Sequence, residues 1–597
     1  MIDVAEFYSN QILDLQKTID KLASSSKVIS LLRLITFVLI IGAIYATLVY
    51  SNYFVIIGLI LISAFSYLVK LHSELTDRKI LNNILLNLNE NEHHCYHGEA
   101  NSFDINPDVD FSKHIFANDL DIFGKLSLFN QINRTTTTIG KRFVQENLLD
   151  PTKDNFLINR RVEIIEELFS SVEWRQTFYA LGYSANEKPS DIPKLKRWQI
   201  QPQFYKDRIH WLVVAGLLTI SSVAIVFYMA LESTNMYKVL VTIILVLCFN
   251  TFVYQIFFRT KINLYLSGFG DFSLLFNKWS ELCKIICSKN LQSPLGVKIT
   301  NRVKDAPSAL RDISNLNKFT SYRKNNLSIF LLNGIFLFDL WYIFQIESWR
   351  NKYGVRLFDW IDSIAEIDFY NSLSNYKFNH PTFCNPQLLM EGMKISAIKM
   401  GHPLMNPGST VLNDFEIGTS SNAHIITGSN MSGKSTFLRA IGLNMVLALN
   451  GLPVCAEQFS CSNLRIATCI RIEDSLEYGQ SYFKAELNKL STIIGLVKEG
   501  GNYLVLLDEI LKGTNSMDRK EGTLMLYQRL SKFNCLALLA THDVEISHLS
   551  VESPKHFESF YFESYLDEND IRFDFVLRPG ISYTRNATAL MHKLNII

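Results

Sequence analysis

Hydrophobic and polar positions alternate on three different length scales along this chain, and each scale predicts a different kind of element. Between Arg33 and Lys70 not one charged residue occurs. A helical bilayer crossing takes about 20 apolar residues, down to about 17, so this run predicts two crossings joined by a tight turn at Ser51-Asn52. Two further uncharged runs, Trp211 to Ala230 and Val239 to Phe258, predict a second hairpin. Lys17, Lys21, Lys27, Arg33 and Lys70 flank the first pair. Lys194, Lys196, Arg197, Lys206, Arg208, Arg259 and Lys261 flank the second, while the turns carry only Glu232 and Lys238. This bias places both pairs of ends, and everything large, in the cytoplasm. A polar, amphipathic stretch precedes the first run and no small-residue cleavage site follows it, which reads against a secretory signal. A fourth apolar run from Leu327 is interrupted by Asp339, and charge in mid-bilayer is expensive. It is expected to be a buried cytoplasmic helix.

Shorter runs toward the carboxyl end carry the chemistry. His424 to Thr427 is an apolar strand followed by Gly428-Ser429-Asn430-Met431-Ser432-Gly433-Lys434-Ser435-Thr436 and then a helical pattern. This is the full phosphate-binding loop in its proper strand-to-helix context. Its N–H groups and the helix start face the phosphates. Lys434 is placed to reach the β- and γ-phosphates, and Ser435 to ligate Mg²⁺. "YLVLLDEI" from Tyr503 and "CLALLATHD" from Cys535 are continuous apolar runs, as strands buried on both faces of a parallel sheet are. The first ends in Asp508-Glu509, expected to hold the Mg²⁺ shell and to polarise the attacking water. The second ends at His542, expected to sense the γ-phosphate. Alternation around Asp567 to Asp570 predicts a β-hairpin.

Composition changes the picture little. The chain is 48% hydrophobic with 41 Phe and 25 Tyr, and its net charge of +1 advertises no global field for nucleic acid. The nine scattered cysteines read as free thiols. His93, His94, Cys95 and His97 read as part of a polar linker rather than a metal site.

The motifs together resemble the ATPase domain of the MutS family, a branch of the ABC-type ATPases. "TGSNMSGKS" is similar to that family's loop, with Ser432 where the family usually has a second glycine. Gly513 to Asp518 resembles the segment after its acidic pair, and "GQSYFKAEL" (Gly479 to Leu487) its Ser-x-Phe-x-x-Glu signature. "GHPL" (Gly401 to Leu404) and "VLND" (Val411 to Asp414) are similar to its adenine-side segments, which implies Val411 and Leu412 in nucleotide binding. Asp119 to Pro151 and the helix from Ile158 resemble the start of the family's helical lever. The resemblance covers roughly residues 118–200 and 260–597. It departs where it would matter for mismatch reading: no Phe-x-Glu wedge domain precedes Asp119, and the second hairpin stands where the family has its DNA-gripping clamp.

The expected fold is an α/β P-loop NTPase domain of ABC/MutS type, preceded by an α-helical lever and two transmembrane hairpins. The expected divisions are a cytoplasmic amphipathic segment (1–33), hairpin (34–69), linker (70–117), lever (118–210), hairpin (211–258), lever (259–385) and ATPase (386–597). The resemblance implies ATP hydrolysis with Mg²⁺ bound by Ser435 and Asp508, and a homodimer in which Ser481 and Tyr482 complete the site in trans. Closure on ATP and release on hydrolysis follow. It links the chain to DNA mismatch repair or to binding of structured DNA. The alternative is a nucleotide-switched membrane scaffold for a protein partner, or a transport-type ATPase, without DNA. The expected location is a bacterial inner membrane, with the amino terminus, lever and ATPase cytoplasmic.

Overall fold

The computed structural model describes residues 3–51, 53–99, 101–206, 208–232, 236–267, 269–270, 272–323, 325–405, 410–418, 421–471, 482–512, 514–567 and 570–582. Four helices are long and apolar enough to cross a membrane: Val4–Val49, Phe54–Tyr96, His210–Glu232 and Tyr237–Leu266.

The first two run side by side as a stalk. Asp3 caps the first helix, its Oδ1 accepting the Glu6 N–H at 3.2 Å. The apolar stretches face outward, with Leu34, Ile41, Leu48, Ile56 and Ile60 all exposed. Both helices continue into their polar portions without a break, so the stretch expected as a linker from residue 70 is helical through Tyr96. The reason is in the pattern: no Pro or Gly falls between Leu59 and His97, and Leu81, Leu85 and Leu88 recur at helical spacing. The helix stops where Gly98 adopts φ 71°. Of the supposed linker histidines, His94 lies 2.6 Å from Glu99 and the His93 ring packs on His97. All nine cysteines are unpaired.

At its foot the stalk docks on a helical domain, the part expected as the lever and called so below. Val4 and Tyr8 are buried with Phe378, and Tyr8 donates its hydroxyl to Asn379 Oδ1 at 2.7 Å. The buried Glu92 carboxylate accepts from Arg134 Nε at 2.5 Å and Nη2 at 3.1 Å. It also accepts from Asn375 Nδ2 at 2.6 Å and Asn379 Nδ2 at 2.9 Å. The lever is one core built from both halves of its sequence. Helices Thr138–Leu149, Asn155–Phe169 and Val172–Tyr183 come from before the second hairpin, and Ser273–Ser288 and Pro294–Val303 from after it. All five pack around the helix Arg356–Asn379.

The second hairpin is set firmly into this core. Glu347, buried, accepts the N–H groups of Phe204 and Tyr205, and the Tyr205 hydroxyl donates to the Leu340 carbonyl at 2.7 Å. The run from Leu327, expected as one buried helix, is two: Asn326–Phe336 and Phe338–Tyr353 meet at 86°. The break is Leu337, at φ 47°. The first piece lies against the hairpin, where Asn250 Nδ2 donates to Ser222 Oγ at 2.9 Å and to the Gly334 carbonyl at 2.8 Å. Gly334 allows the close approach, because a Cβ there would sit a tight 3.0 Å from the Leu247 and Thr251 side chains. Leu327, Leu331, Ile335 and Phe336 face outward. The second piece is largely buried in the lever, and its Asp339 takes the Tyr254 hydroxyl at 2.5 Å and Arg323 Nε at 3.1 Å. A charge that is costly in lipid thus sits at the bend, paired.

Among the described residues the carboxyl-terminal part has ten strands: β1 (Gln387–Leu389), β2 (Ile395–Met400), β3 (Asn413–Ile417), β4 (Ala423–Thr427), β5 (Gln458–Ser462), β6 (Arg465–Cys469), β7 (Tyr503–Asp508), β8 (Cys535–Thr541), β9 (Phe557–Asp567) and β10 (Asp570–Pro579). A small sheet runs β1-β5-β2-β3, and the main six-stranded sheet runs β10-β9-β4-β8-β7-β6. All pairs in the main sheet are parallel except β9 with β10, the expected hairpin. Every residue of β4, β7 and β8 is buried, as their continuous apolar runs require. Register aligns the carboxyl ends: Thr427 pairs with Thr541, and Asp508 with Ala540. Asp119 ties this domain to the lever. Its buried carboxylate accepts from Thr468 Oγ1 (2.6 Å), the N–H groups of Ile470 and Arg471, and Lys489 Nζ (2.8 Å).

Glu92→Ala is expected to leave the Arg134 guanidinium buried without its partner, a loss of about 3–5 kcal/mol. Thermal unfolding of the detergent-solubilised protein should fall accordingly, and proteolysis should open at the foot of the stalk. An unchanged melting temperature would show that the stalk is not docked there.

Candidate active site

Three strand ends build the site. After β4 the chain turns through Met431, at φ 67°, and Gly433, at φ 103°, into the helix Lys434–Leu449. Gly433 serves two needs. Its left-handed conformation disfavours a side chain, and a Cβ would sit 3.1 Å from the Phe575 ring. Lys434 is buried and folded back, its Nζ donating to the carbonyls of Gly428 at 2.9 Å and Ser429 at 2.8 Å. Burial lowers its pKa, opposed by Glu509 and Asp508. Ser435 Oγ donates to Asp508 Oδ2 at 2.5 Å.

The acidic pair is strained. Asp508 ends β7 in regular conformation, but Glu509 takes φ 44° and Leu511 φ 62°. Such residues cost roughly 1–3 kcal/mol each and persist only when neighbours hold them. The holder is Glu486, buried, which accepts the Leu511 N–H at 2.6 Å. Glu509 lies 3.7 Å from Lys434 Nζ, 3.2 Å from Lys512 Nζ and 3.5 Å from His542 Nδ1. Burial alone would raise its pKa, yet Lys512, Lys434 and His542 together draw it below the ordinary value. Asp508 goes the other way, raised by burial. Its Oδ1 is buried without a hydrogen-bond partner. An oxygen donor left open beside a serine hydroxyl is the donor set that Mg²⁺ takes at phosphate sites.

A cleft of about 510 Å³ spreads from this point. Asn430, Met431, Ser432, Gly433, Lys434, Ser435, Thr436, Asp508 and Glu509 line one end; Met400, His402, Val411 and Phe575 line the other. The polar end fits a triphosphate and the other a flat apolar ring. His402 is a neutral wall near pH 7, its pKa pushed down to about 4 by burial and by Arg439. Of the residues expected from sequence, Val411 lines the cleft, whereas Leu412 turns toward Gly401. Gly428 and Ser429 contribute their carbonyls to Lys434 rather than a wall. Ser481 lies outside the described residues. Tyr482 begins the helix Tyr482–Glu499.

Three site residues escaped the sequence reading. Glu486 was legible only as part of a motif, not as the brace of the acidic turn. Asn413 clamps the β10 bulge, donating to the Phe575 carbonyl at 3.0 Å and accepting the Leu577 N–H at 2.6 Å. Phe575 itself, at φ 54°, carries no sequence signal that marks it as covering the loop.

Residues 424–591 match the family model described as MutS domain V. Among curated proteins, the chain is 33% identical over 187 residues to the probable DNA mismatch repair protein Msh6 of Drosophila melanogaster, covering 30% of this chain and 16% of that one. It is 32% identical over 211 residues to the DNA mismatch repair protein MutS of Thermotoga maritima, covering 34% and 26%. It is 26% identical over 256 residues to the endonuclease MutS2 of Caldanaerobacter subterraneus subsp. tengcongensis, covering 42% and 32%. The chain therefore spans a third or less of the length of these relatives.

Glu486→Ala should strip the Leu511 N–H of its partner, at about 1–3 kcal/mol. The expected readout is a slower ATP hydrolysis rate at saturating nucleotide with only a modest change in melting temperature. Loss of stability with an unaltered rate would make Glu486 a fold residue and nothing more.

Proposed function

Through residues 424–591 the chain is a MutS-family protein, and on that premise we propose that it is a membrane-anchored ATPase whose nucleotide cycle is coupled to the lever. The observation that carries this reading is the meeting of Lys434, Ser435, Asp508 and Glu509 at register-aligned strand ends. ATP enters with its base toward Val411 and Phe575 and its phosphates on the loop from Gly428 to Thr436. Lys434 then exchanges the loop carbonyls for β- and γ-phosphate oxygens. Ser435 and Asp508 would hold Mg²⁺, which would supply positive charge to offset that of the phosphates. Glu509, ionised, orients and polarises the attacking water, and His542, 3.5 Å away, couples its position to the γ-phosphate. Ser481 and Tyr482 of a second copy complete each site in a homodimer. Closure with ATP and release after hydrolysis make it a switch, because the two forms differ in affinity for the nucleotide.

The two hairpins anchor the molecule in a membrane, in a bacterium the inner one, with the amino terminus, lever and ATPase in the cytoplasm. The relatives' names connect the family to DNA mismatch repair, and on that likeness DNA is one ligand for the lever. A second reading is favoured by the second hairpin. It is joined to the lever through buried Glu347 and Asp339 and not through a loose tether. Nucleotide-driven closure would then act on the membrane segment or on a protein partner there, in a scaffold or transport role.

Purified protein in nanodiscs tests both. Glu509→Gln should lower hydrolysis by at least about 100-fold while ATP still binds; an unaltered rate would overturn the assignment. Stimulation by duplex, mismatched or branched DNA that weakens steeply with salt supports the DNA reading. Hydrolysis indifferent to DNA but altered by lipid supports the second. Since Glu509 ionises below the ordinary range, its deprotonation leaves the rate flat from about pH 8 down to about pH 6. An acid limb centred near neutrality and moved by Glu509→Asp would contradict that.

A further inference from the structure

Where the second hairpin enters and leaves its apolar stretch, cationic side chains converge on one aromatic ring. Trp211 opens the first span and packs edge-on against Phe204 at 5.4 Å and Phe258 at 5.3 Å. The Arg208 guanidinium stands 5.2 Å from the centre of the Trp211 ring and 5.9 Å from that of Phe204. Lys261 Nζ, from the helix that continues the other span, stands 4.8 Å from the same Trp211 ring. Lys206 and Arg259 each lie two residues away in sequence from one of these cations, and Arg259 Nη1 donates to Gln255 Oε1 at 2.8 Å. Among the described residues none of these four cations has a carboxylate within ion-pair distance. That contrasts with Arg323, which is spent on Asp339 at 3.1 Å, and with Arg350, which lies 3.5 Å from Glu347. Glu347 accepts the backbone N–H groups of Phe204 and Tyr205 and so fixes the loop that bears Arg208.

We propose that Arg208 and Lys261, which meet at the Trp211 ring, with Lys206 and Arg259 next to them in sequence, form a binding site for the phosphate headgroup of an anionic phospholipid in the cytoplasmic leaflet. The proposal rests on the reading of this hairpin as membrane-spanning. Phosphate is the chemistry the site lacks: cations arriving from a loop and from the helix Arg259–Ser267, on a pre-set aromatic platform. Trp at this level seats at the lipid headgroup boundary, which puts the cations where headgroup phosphates lie. Juxtamembrane Lys and Arg are drawn to an anionic membrane surface. A site at this position touches the loop that Glu347 fixes to the lever, so lipid composition is read at the joint between membrane and ATPase.

The test uses the full-length protein in nanodiscs made from equal parts phosphatidylglycerol and phosphatidylcholine. After extraction and a detergent wash, retained lipid is counted by mass spectrometry. The wild type should retain phosphatidylglycerol several-fold over phosphatidylcholine, and Arg208→Gln with Lys261→Gln should abolish the preference. Arg208→Lys with Lys261→Arg should restore it, which separates charge from a folding defect. Lys17→Gln with Lys21→Gln, on the stalk, should leave it intact. Inorganic phosphate in millimolar excess should not displace the lipid; displacement would show a site for free phosphate and overturn the assignment to a lipid. Equal retention of both lipids by the wild type, or full preference in the double Gln variant, would also overturn the site. Failure of the protein to enter nanodiscs at all would instead overturn the membrane reading beneath it.

Discussion

At the foot of the stalk a carboxylate is held out of water by four donors, and the arrangement of the rest follows from satisfying it. Glu92 belongs to the stalk, Arg134 to the start of the lever, and Asn375 and Asn379 to the end of the helix on which the lever packs. A buried charge of this kind has no tolerable alternative state, since separating it from its partners strands either the carboxylate or the guanidinium. The three segments must therefore meet. The helix ending at Asn379 runs on into β1, and the segment before Arg134 carries Asp119, whose carboxylate is bound by β6 and the helix Tyr482–Glu499. Both routes from the lever to the carboxyl-terminal domain thus start near the same pin, Asp119 lying 15 residues before Arg134 and β1 starting 8 after Asn379.

The site shows the complementary strategy, internal bonds that a substrate must displace. Lys434 is satisfied by its own loop and Ser435 by Asp508, while Asp508 Oδ1 and Ser432 Oγ lie buried without partners. Left-handed conformations at Met431, Glu509 and Leu511 concentrate at this one place, and Glu486 braces the turn from a different helix. Pre-set strain with open donors is characteristic of a site shaped for a ligand and not for its own stability.

What the sequence disclosed and what it withheld divide along physical lines. The phosphate loop, the acidic pair and the three buried strands were legible because each is local: glycines, an apolar run and a charge pair within a few residues. The hairpin β9–β10 was legible by alternation. The continuation of the stalk through residues 70–96 was not, because its polarity suggested a loop and outweighed the absence of Pro and Gly and the spacing of Leu81, Leu85 and Leu88. The bend at Leu337 has no glycine or proline to announce it. It is imposed by Asn250 and Gly334 on one side and by paired Asp339 on the other. Glu486, Asn413 and Phe575 act across long sequence separations, where no periodicity points.

The stalk has one more consequence. Its first helix runs for 46 residues without a proline, about 69 Å at 1.5 Å per residue. A body that long, held at one end by buried polar contacts, behaves as a stiff rod. A swing of about 10° at the pinned foot would carry the far tip sideways by about 12 Å over that length. Rearrangements too small to notice around Glu92 would therefore emerge at the far tip as displacements of about a helix diameter.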